Sequence, residues 1–184
     1  NINCQIFGAG SNLLISGNVW KCLFICTKKL KAINLNPKTG ILEAESGVML
    51  PTISNLLAKN SCKGGEWSIG IPGTVGGAIF MNAGYGDFSI SKHLVSVKVI
   101  DIQTLNIFNI SRKDLNFKYR FSPFQKNKLI ILSAKFYFEP GGDKHLITKV
   151  TKANLKKKTD SQPYHQPSFG SVFKNPDNYY AGKL

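Results

Sequence analysis

Gly70-Ile71-Pro72-Gly73-Thr74-Val75-Gly76-Gly77-Ala78, followed two residues later by Met81-Asn82-Ala83-Gly84, is the stretch on which the reading of the fold turns. Glycines this dense cost conformational entropy, so each is kept for a reason: a positive backbone dihedral, or a neighbour pressed so close to the main chain that a Cβ would block it. The backbone N–H groups of such a loop can form a nest for a diphosphate without help from a lysine. A tight connection between strands uses glycine in the same way, and residue types alone do not choose between the two.

Upstream, residues 2–7 are apolar and run into Gly8-Ala9-Gly10-Ser11-Asn12, with Leu13-Leu14-Ile15 directly after, which predicts strand, tight turn, strand. No helical pattern follows these glycines, which argues against the dinucleotide fingerprint whose glycines open a helix. Residues 32–35 and 41–44 flank Asn36-Pro37-Lys38-Thr39-Gly40 and predict a hairpin. Ile53, Leu56 and Leu57 carry helical spacing, with Gly64 and Gly65 as the expected stop.

Downstream, Val95, Val97 and Val99 alternate, and the stretches 107–110 and 129–138 are apolar, so strands of one mixed sheet are expected there. After Pro140-Gly141-Gly142, the residues Leu146, Ile147, Val150 and Ala153 share a helical face. Lys156, Lys157 and Lys158 then fall in its last turn, where cations suit the helix dipole. The pattern is α+β, with two units divided near Ser61 and a third piece beginning after the helix.

The chain has 184 residues, 42% of them hydrophobic and 18% charged, which suits one ordinary domain or two small ones. A net charge of +14 invites an anionic partner, nucleic acid first. Yet the charge is nearly all lysine, Arg112 and Arg120 being the only arginines, and Trp20, Phe80 and Phe136 lie in apolar stretches that should bury them. Nucleic-acid modules instead interleave basic and exposed aromatic groups, so no nucleic-acid partner is expected. Cys4, Cys22, Cys26 and Cys62 have no metal-ligand spacing, and Cys22 and Cys26 read as small buried hydrophobes, so no metal is expected. The histidines, His93, His145 and His165, are scattered and receive no role. No apolar run reaches the roughly 20 residues that span a bilayer, and the first residues lack signal-peptide order, so the expectation is a cytoplasmic protein without membrane insertion.

Four blocks, in order, resemble the UDP-N-acetylenolpyruvoylglucosamine reductase (MurB) family: residues 8–14, residues 70–84, Tyr119-Arg120-Phe121-Ser122, and Pro167-Ser168-Phe169-Gly170-Ser171-Val172-Phe173-Lys174-Asn175-Pro176. The short interval between Arg120 and Ser171, and the Phe124-Gln125 pair, resemble the type II branch. The resemblance implies the two-subdomain FAD-binding fold of the vanillyl-alcohol oxidase (PCMH) type, followed by the start of a substrate-binding domain. Mapped on this chain, residues 1–61 would form FAD-binding subdomain 1, residues 62–165 subdomain 2, and residues 166–184 the opening of the substrate domain.

The same resemblance assigns roles. Gly8, Gly10, Ser11, Asn12 and Leu13, together with Gly70, Ile71, Pro72, Gly73, Thr74, Gly76 and Gly77, would surround the diphosphate and nearby atoms of FAD. Arg120 would hold and polarise the enolpyruvyl carboxylate with its permanently charged fork, with Tyr119 beside it. Ser171 would act as general acid, and Lys174 and Asn175 would line the pocket, Asn175 holding the nucleotide sugar. Lys174 is the candidate to stabilise the serine alkoxide. Read without the family, Arg120 fits an ordinary surface charge and Ser171 an ordinary turn serine.

The implied reaction moves hydride from NADPH to FAD, and from there to the terminal alkene carbon of UDP-N-acetylglucosamine enolpyruvate. That gives UDP-N-acetylmuramate for peptidoglycan. The family also has a further N-terminal segment, and a catalytic glutamate beyond residue 184. The expectation is therefore that these 184 residues alone bind FAD weakly and do not turn over. The rival readings are another FAD-linked oxidoreductase of the same fold, and an inactive fragment of the reductase. Oligomeric state is left open.

Overall fold

A computed structural model describes residues 3–17, 19–162, 166, 168–176 and 178–183. Its centre is a five-stranded antiparallel sheet in the order β3-β4-β9-β7-β8, built from Ile33–Asn36, Ile41–Glu45, Leu129–Tyr137, Leu94–Asp101 and Ile107–Ser111. A separate two-stranded parallel sheet pairs β1 (Cys4–Phe7) with β2 (Leu23–Cys26). A short hairpin, β5 (Gly84–Tyr85) with β6 (Phe88–Ser89), completes the strands.

The large sheet has one covered face. Leu42 and Ala44 of β4, Val97 and Val99 of β7, and Ile131, Ala134 and Phe136 of β9 bury against α1 (Leu50–Lys59) and α2 (Val75–Met81), which bring Leu50, Ile53, Leu57, Val75, Ala78 and Ile79 to the same core. Each fully buried aliphatic or aromatic side chain here is worth about 1.5–3 kcal/mol of transfer free energy. The opposite face carries exposed pairs such as Lys135 Nζ to Glu43 Oε1 at 2.8 Å. An antiparallel sheet tolerates this because its faces can differ.

The hairpin expected around residues 36–40 is present, as are the strands expected at 95–99, 107–110 and 129–138. Three expectations need correction. Residues 13–15 form no strand, and the partner of β1 is the later segment β2, in parallel register from Cys4 opposite Leu23 to Phe7 opposite Cys26. α1 stops at Asn60, with Ser61 in the left-handed region at φ 58°, before Gly64 and Gly65 are reached. Among the aromatics expected to be buried, Phe136 is; Trp20 and Phe80 are exposed, and so is Cys26. Across the position of Ser61, β3, β4 and α1 share the sheet and its packing with β7 and β9.

The helix α3 (Lys144–Ser161) follows Asp143, whose carboxylate caps it by accepting from His145 N–H at 2.7 Å and Leu146 N–H at 3.1 Å. Those bonds also hold the Asp143 carboxyl below its usual pKa. The expected apolar face is not the one that packs: Leu146 and Val150 are exposed, whereas Ile147, Thr151 and Lys158 are buried. Asn154 lies on the same stripe and donates to Glu66 O at 3.2 Å. Spacings of four, three and four along this stripe are helical, but three of its four members are polar, so no hydrophobic pattern marks it.

Candidate functional site

Both glycine blocks come together. A Cβ added at Gly8 would lie 2.2 Å from Thr74 Oγ1, so the first block presses on the second at a point where no side chain fits. Ser11 Oγ donates to Pro72 O at 3.1 Å, closing the same seam. Thr74 is fully buried and caps α2, its hydroxyl accepting from Gly77 N–H at 3.4 Å.

The backbone donors of the two blocks are spent differently. Val75 N–H donates to Val48 O at 2.8 Å, Gly76 N–H to Ser46 O at 2.9 Å, and Ala78 N–H to Thr74 O at 2.8 Å. With Gly77 N–H on the Thr74 hydroxyl, the amides of residues 75–78 are all spent within the protein. Gly76 is explained by packing instead, since a Cβ there would come 2.9 Å from Ser46 Cβ. By contrast, the amides of Gly8, Ala9, Gly10, Ser11, Asn12, Gly73 and Thr74 have no acceptor among the described residues. Gly10 adopts φ 74° with open space where a Cβ would project. Successive unspent N–H donors are what a backbone nest for a diphosphate requires.

Leu13 turns back on the loop through Leu13 N–H to Gly10 O at 3.2 Å. Ile71 N–H is spent on Ser68 O at 3.1 Å, and Gly70 O accepts from Lys158.

Tyr119 and Arg120 form the tip of a two-residue turn, closed by Lys118 N–H to Phe121 O and Phe121 N–H to Lys118 O, both 3.1 Å. Arg120 is held at φ 52°, a left-handed conformation that a non-glycine residue adopts only at a cost. Neighbouring polar groups hold it there. Asn82, the left-handed cap of α2 at φ 45°, donates from Nδ2 to Lys118 O at 2.8 Å. Gln125 Nε2 donates to Arg120 O at 3.3 Å and to Phe80 O at 2.8 Å, and the buried Ser122 Oγ donates to Phe80 O at 2.7 Å. The guanidinium is half-buried, donates through Nη2 to Gly84 O at 3.3 Å, and lies 5.6 Å from the Tyr119 ring centre. Asn82 Oδ1 is buried without a hydrogen-bond partner among the described residues, an acceptor left for a ligand N–H.

The fourth block approaches the first: a Cβ at Gly170, which has φ 85°, would lie 3.3 Å from Asn12 Oδ1 and 3.6 Å from Ser11 O. Its neighbour Ser171 is exposed, as are Lys174 and Asn175. Among the described residues no hydrogen bond or ion pair joins Ser171, Lys174 and Arg120 to one another. Asn175 turns into its own segment, its Oδ1 accepting from Ala181 N–H at 3.1 Å. Gly170, next to Ser171, thus lies beside Asn12 and Ser11, whose hydroxyl reaches Pro72, whereas Arg120 reaches Gly84 on the far side of α2 in the chain. Pro163, Tyr164, His165, Pro167 and Asp177 lie outside the described residues, and with them the His165 to which no role was assigned.

The FAD binding domain family matches residues 1–105, more than half of the chain. The chain belongs to the FAD binding domain family. It is also similar, at 60% identity over 184 residues, to the UDP-N-acetylenolpyruvoylglucosamine reductase of Prochlorococcus marinus subsp. pastoris, covering all of this chain and 62% of that protein. The solved structure of UDP-N-acetylenolpyruvylglucosamine reductase (MurB) from Thermus caldophilus superposes with a TM-score of 0.82 at 26% identity, over 98% of this chain and 64% of that one. The glucose dehydrogenase Phl p 4 shares the fold alone, with a TM-score of 0.55 at 14% identity over 76% of this chain and 30% of its own. The α+β, two-part flavin fold expected from the sequence is therefore the fold of the chain. The chain spans about three-fifths of the length of the curated relatives it matches.

The site residues fit the group that this family binds. A diphosphate needs several N–H donors, and residues 8–12 with Gly73 and Thr74 keep theirs unspent on either side of the seam where Gly8 meets Thr74. Reasoning from sequence missed Asn82, Ser122 and Gln125, which hold the arginine turn, and Lys158, which reaches the second glycine block. Asn82 and Gln125 lie within or beside the quoted blocks, but nothing in their residue types announces that one reaches Lys118, 36 residues on, and the other Arg120.

Proposed function

We propose that the chain is the flavin-binding part of a UDP-N-acetylenolpyruvoylglucosamine reductase, reducing UDP-N-acetylglucosamine enolpyruvate to UDP-N-acetylmuramate with NADPH for peptidoglycan synthesis. Cell shape and division would then depend on it through the wall. A cytoplasmic location accords with the soluble nucleotide substrates, and no helix among the described residues is long and apolar enough to cross a membrane. The observation that carries the reading is the junction of three blocks: Gly8 against Thr74, Ser11 against Pro72, and Gly170 against Asn12. We place the division of the chain between Cys26 and Ile33, where the two sheets separate, with the segment from residue 166 as a third part.

When bound, the flavin would relay a hydride from NADPH to the terminal alkene carbon of the substrate. The amides of residues 8–12, with those of Gly73 and Thr74, would bind its diphosphate. Arg120 would hold the substrate carboxylate and stabilise the negative charge that grows on it and on the adjoining carbon, binding the transition state more tightly than the ground state. The left-handed backbone at Arg120, held from Asn82 and Gln125, would fix the fork before substrate arrives. Ser171 would give its proton to the carbon bearing the carboxylate, with Lys174 steadying the alkoxide, which requires the segment from residue 168 to close on Arg120 from its place beside Asn12.

The test is optical. In the complete protein that contains these residues, with FAD bound, NADPH should bleach the flavin, and colour should return on adding the enolpyruvyl nucleotide sugar without oxygen. Bleaching with no return, or return with unrelated alkenes, would remove the substrate from the reading. Absence of any FAD binding would remove the whole of it.

A further inference from the structure

The end of α2 closes two of its last carbonyls internally and gives a third to another part of the chain. Ala83 N–H donates to Ala78 O at 2.7 Å and Asn82 N–H to Ile79 O at 3.1 Å, with Asn82 left-handed at φ 45°. Phe80 O, in the last turn, is among the carbonyls that a helix end leaves without an intrahelical donor. It is taken from outside, by the buried Ser122 Oγ at 2.7 Å and by Gln125 Nε2 at 2.8 Å. Asparagine is one of the few residues with a side chain that enter the left-handed region readily. From that position Asn82 sends Nδ2 to Lys118 O at 2.8 Å.

Two carboxamides thus grip the backbone around Arg120. Asn82 holds the carbonyl of Lys118, two residues before it, and Gln125 Nε2 reaches Arg120 O itself at 3.3 Å. Gln125 closes the helical turn Pro123–Gln125, which is pinned by Phe124 in the core at 2% exposure. A left-handed arginine persists only where its surroundings over-determine it, and these bonds to the turn and to Phe80 O are what do so. The other end of α2 belongs to the diphosphate seam. Thr74 caps the helix and is the residue that a Cβ on Gly8 would strike. Val75 N–H and Gly76 N–H tie that end to Val48 O and Ser46 O. The seam and the arginine turn are therefore the two ends of one helix of seven residues, about 10 Å long at the usual rise per residue.

We infer that α2 is a strut that sets the arginine turn against the diphosphate loop, with Asn82 and Gln125 as positioning residues that act on Arg120 through its backbone. The inference rests on the proposed reductase reading, and it adds which groups fix the guanidinium at its distance from the flavin. An arginine on a loose turn samples many directions, whereas one whose turn is fixed through the carbonyls of Lys118 and Arg120 starts from a single direction before any ligand arrives. Both positioning groups are neutral amides, so they place the cation and leave its charge to the substrate. In the same reading the transfer from NADPH makes no use of Arg120. Loosening the strut therefore slows one half of the reaction and spares the other.

The experiment uses the complete protein that contains these residues, with FAD bound, and follows each half-reaction by stopped flow. Asn82→Gly keeps the left-handed backbone and removes the donor; Gln125→Met keeps the length and removes the N–H. In each, the return of colour with the enolpyruvyl nucleotide sugar should slow by about tenfold or more, while bleaching by NADPH changes by less than about twofold. In an Arg120→Lys background the same two changes should add little further loss. Equal slowing of both steps, or additive losses with Arg120→Lys, overturns the positioning role. If the variants fail to fold, the unaltered protein labelled with 15N decides: the bonded amide protons of Asn82 and Gln125 should exchange slowly with water before substrate is added. Protection that appears only with substrate overturns the strut. A protein whose amides are protected but whose flavin takes no hydride keeps the strut and loses the reductase, and two-step flavin chemistry that none of these changes alters loses only the strut.

Discussion

The two glycine blocks look alike as strings and behave as opposites in the fold. Residues 8–13 sit at the edge of a small parallel sheet, half-buried or exposed, with five consecutive amides that no described residue accepts. The block from Gly70 runs into the core, where Val75, Gly76 and Ala78 donate to main-chain carbonyls and Gly77 donates to the Thr74 hydroxyl. Glycine in the first block leaves N–H groups open to a ligand; glycine at Gly76 lets a helix settle on Ser46. One composition thus serves binding in one place and packing in the other, and Gly8 against Thr74 is where the two uses meet.

If that contrast is right, the largest loss of stability comes from filling the packed block. Gly76→Val puts a branched side chain where a Cβ would already be 2.9 Å from buried Ser46, and should cost about 1–3 kcal/mol in urea unfolding. A loss no greater than that of Gly10→Ala would break the comparison. Next comes Thr74→Ala, which removes the cap of α2 and should cost about 1 kcal/mol. The same change sharpens the seam: Gly8→Ala should weaken FAD binding strongly in the parent and much less in the Thr74→Ala background, where the clashing hydroxyl is gone. Additive effects on the FAD dissociation constant would mean the blocks do not press on each other. A smaller cost belongs to Gly10→Ala, about 1 kcal/mol or less from its positive φ alone, because a Cβ there meets nothing within 4 Å.

The smallest expected effect is one of pH. The folded pKa of Lys158 is depressed to about 8 against 10.5 when unfolded, so between these values the unfolded chain holds more protons than the folded one. Stability from this group therefore rises as pH goes from about 8 toward 10.5, as the penalty for burying the charge is relieved. Repulsion from Arg120 adds to the depression. Denaturant unfolding across this range should show the rise in the parent and not in Lys158→Met; parallel curves would place the ammonium in solvent.

The central sheet was legible because its strands obey local rules. The hairpin at 36–40 has proline and glycine at its turn, and β7 and β9 have β-branched and aromatic runs. The partner of β1 was not, since parallel pairing joins segments that are distant in sequence and leaves no turn signal between them. The same limit applies to α3, whose buried stripe holds Thr151, Asn154 and Lys158 and carries no hydrophobic period. The side chains of the site were named from motifs, but the partners that hold Arg120 left-handed come from α2 and from residue 125.

The residues alone determined the α+β class and the two glycine blocks, because backbone freedom and turn chemistry are written locally, while Arg120 and Ser171 were singled out by the resemblance of their motifs to a family. Tertiary structure decided which glycine amides stay open, which strand pairs with β1, and that Lys158 turns inward to Gly70. Those outcomes depend on what each group meets across the fold, and a hydrogen bond or a buried charge is defined by its neighbours in space rather than by its neighbours in the chain.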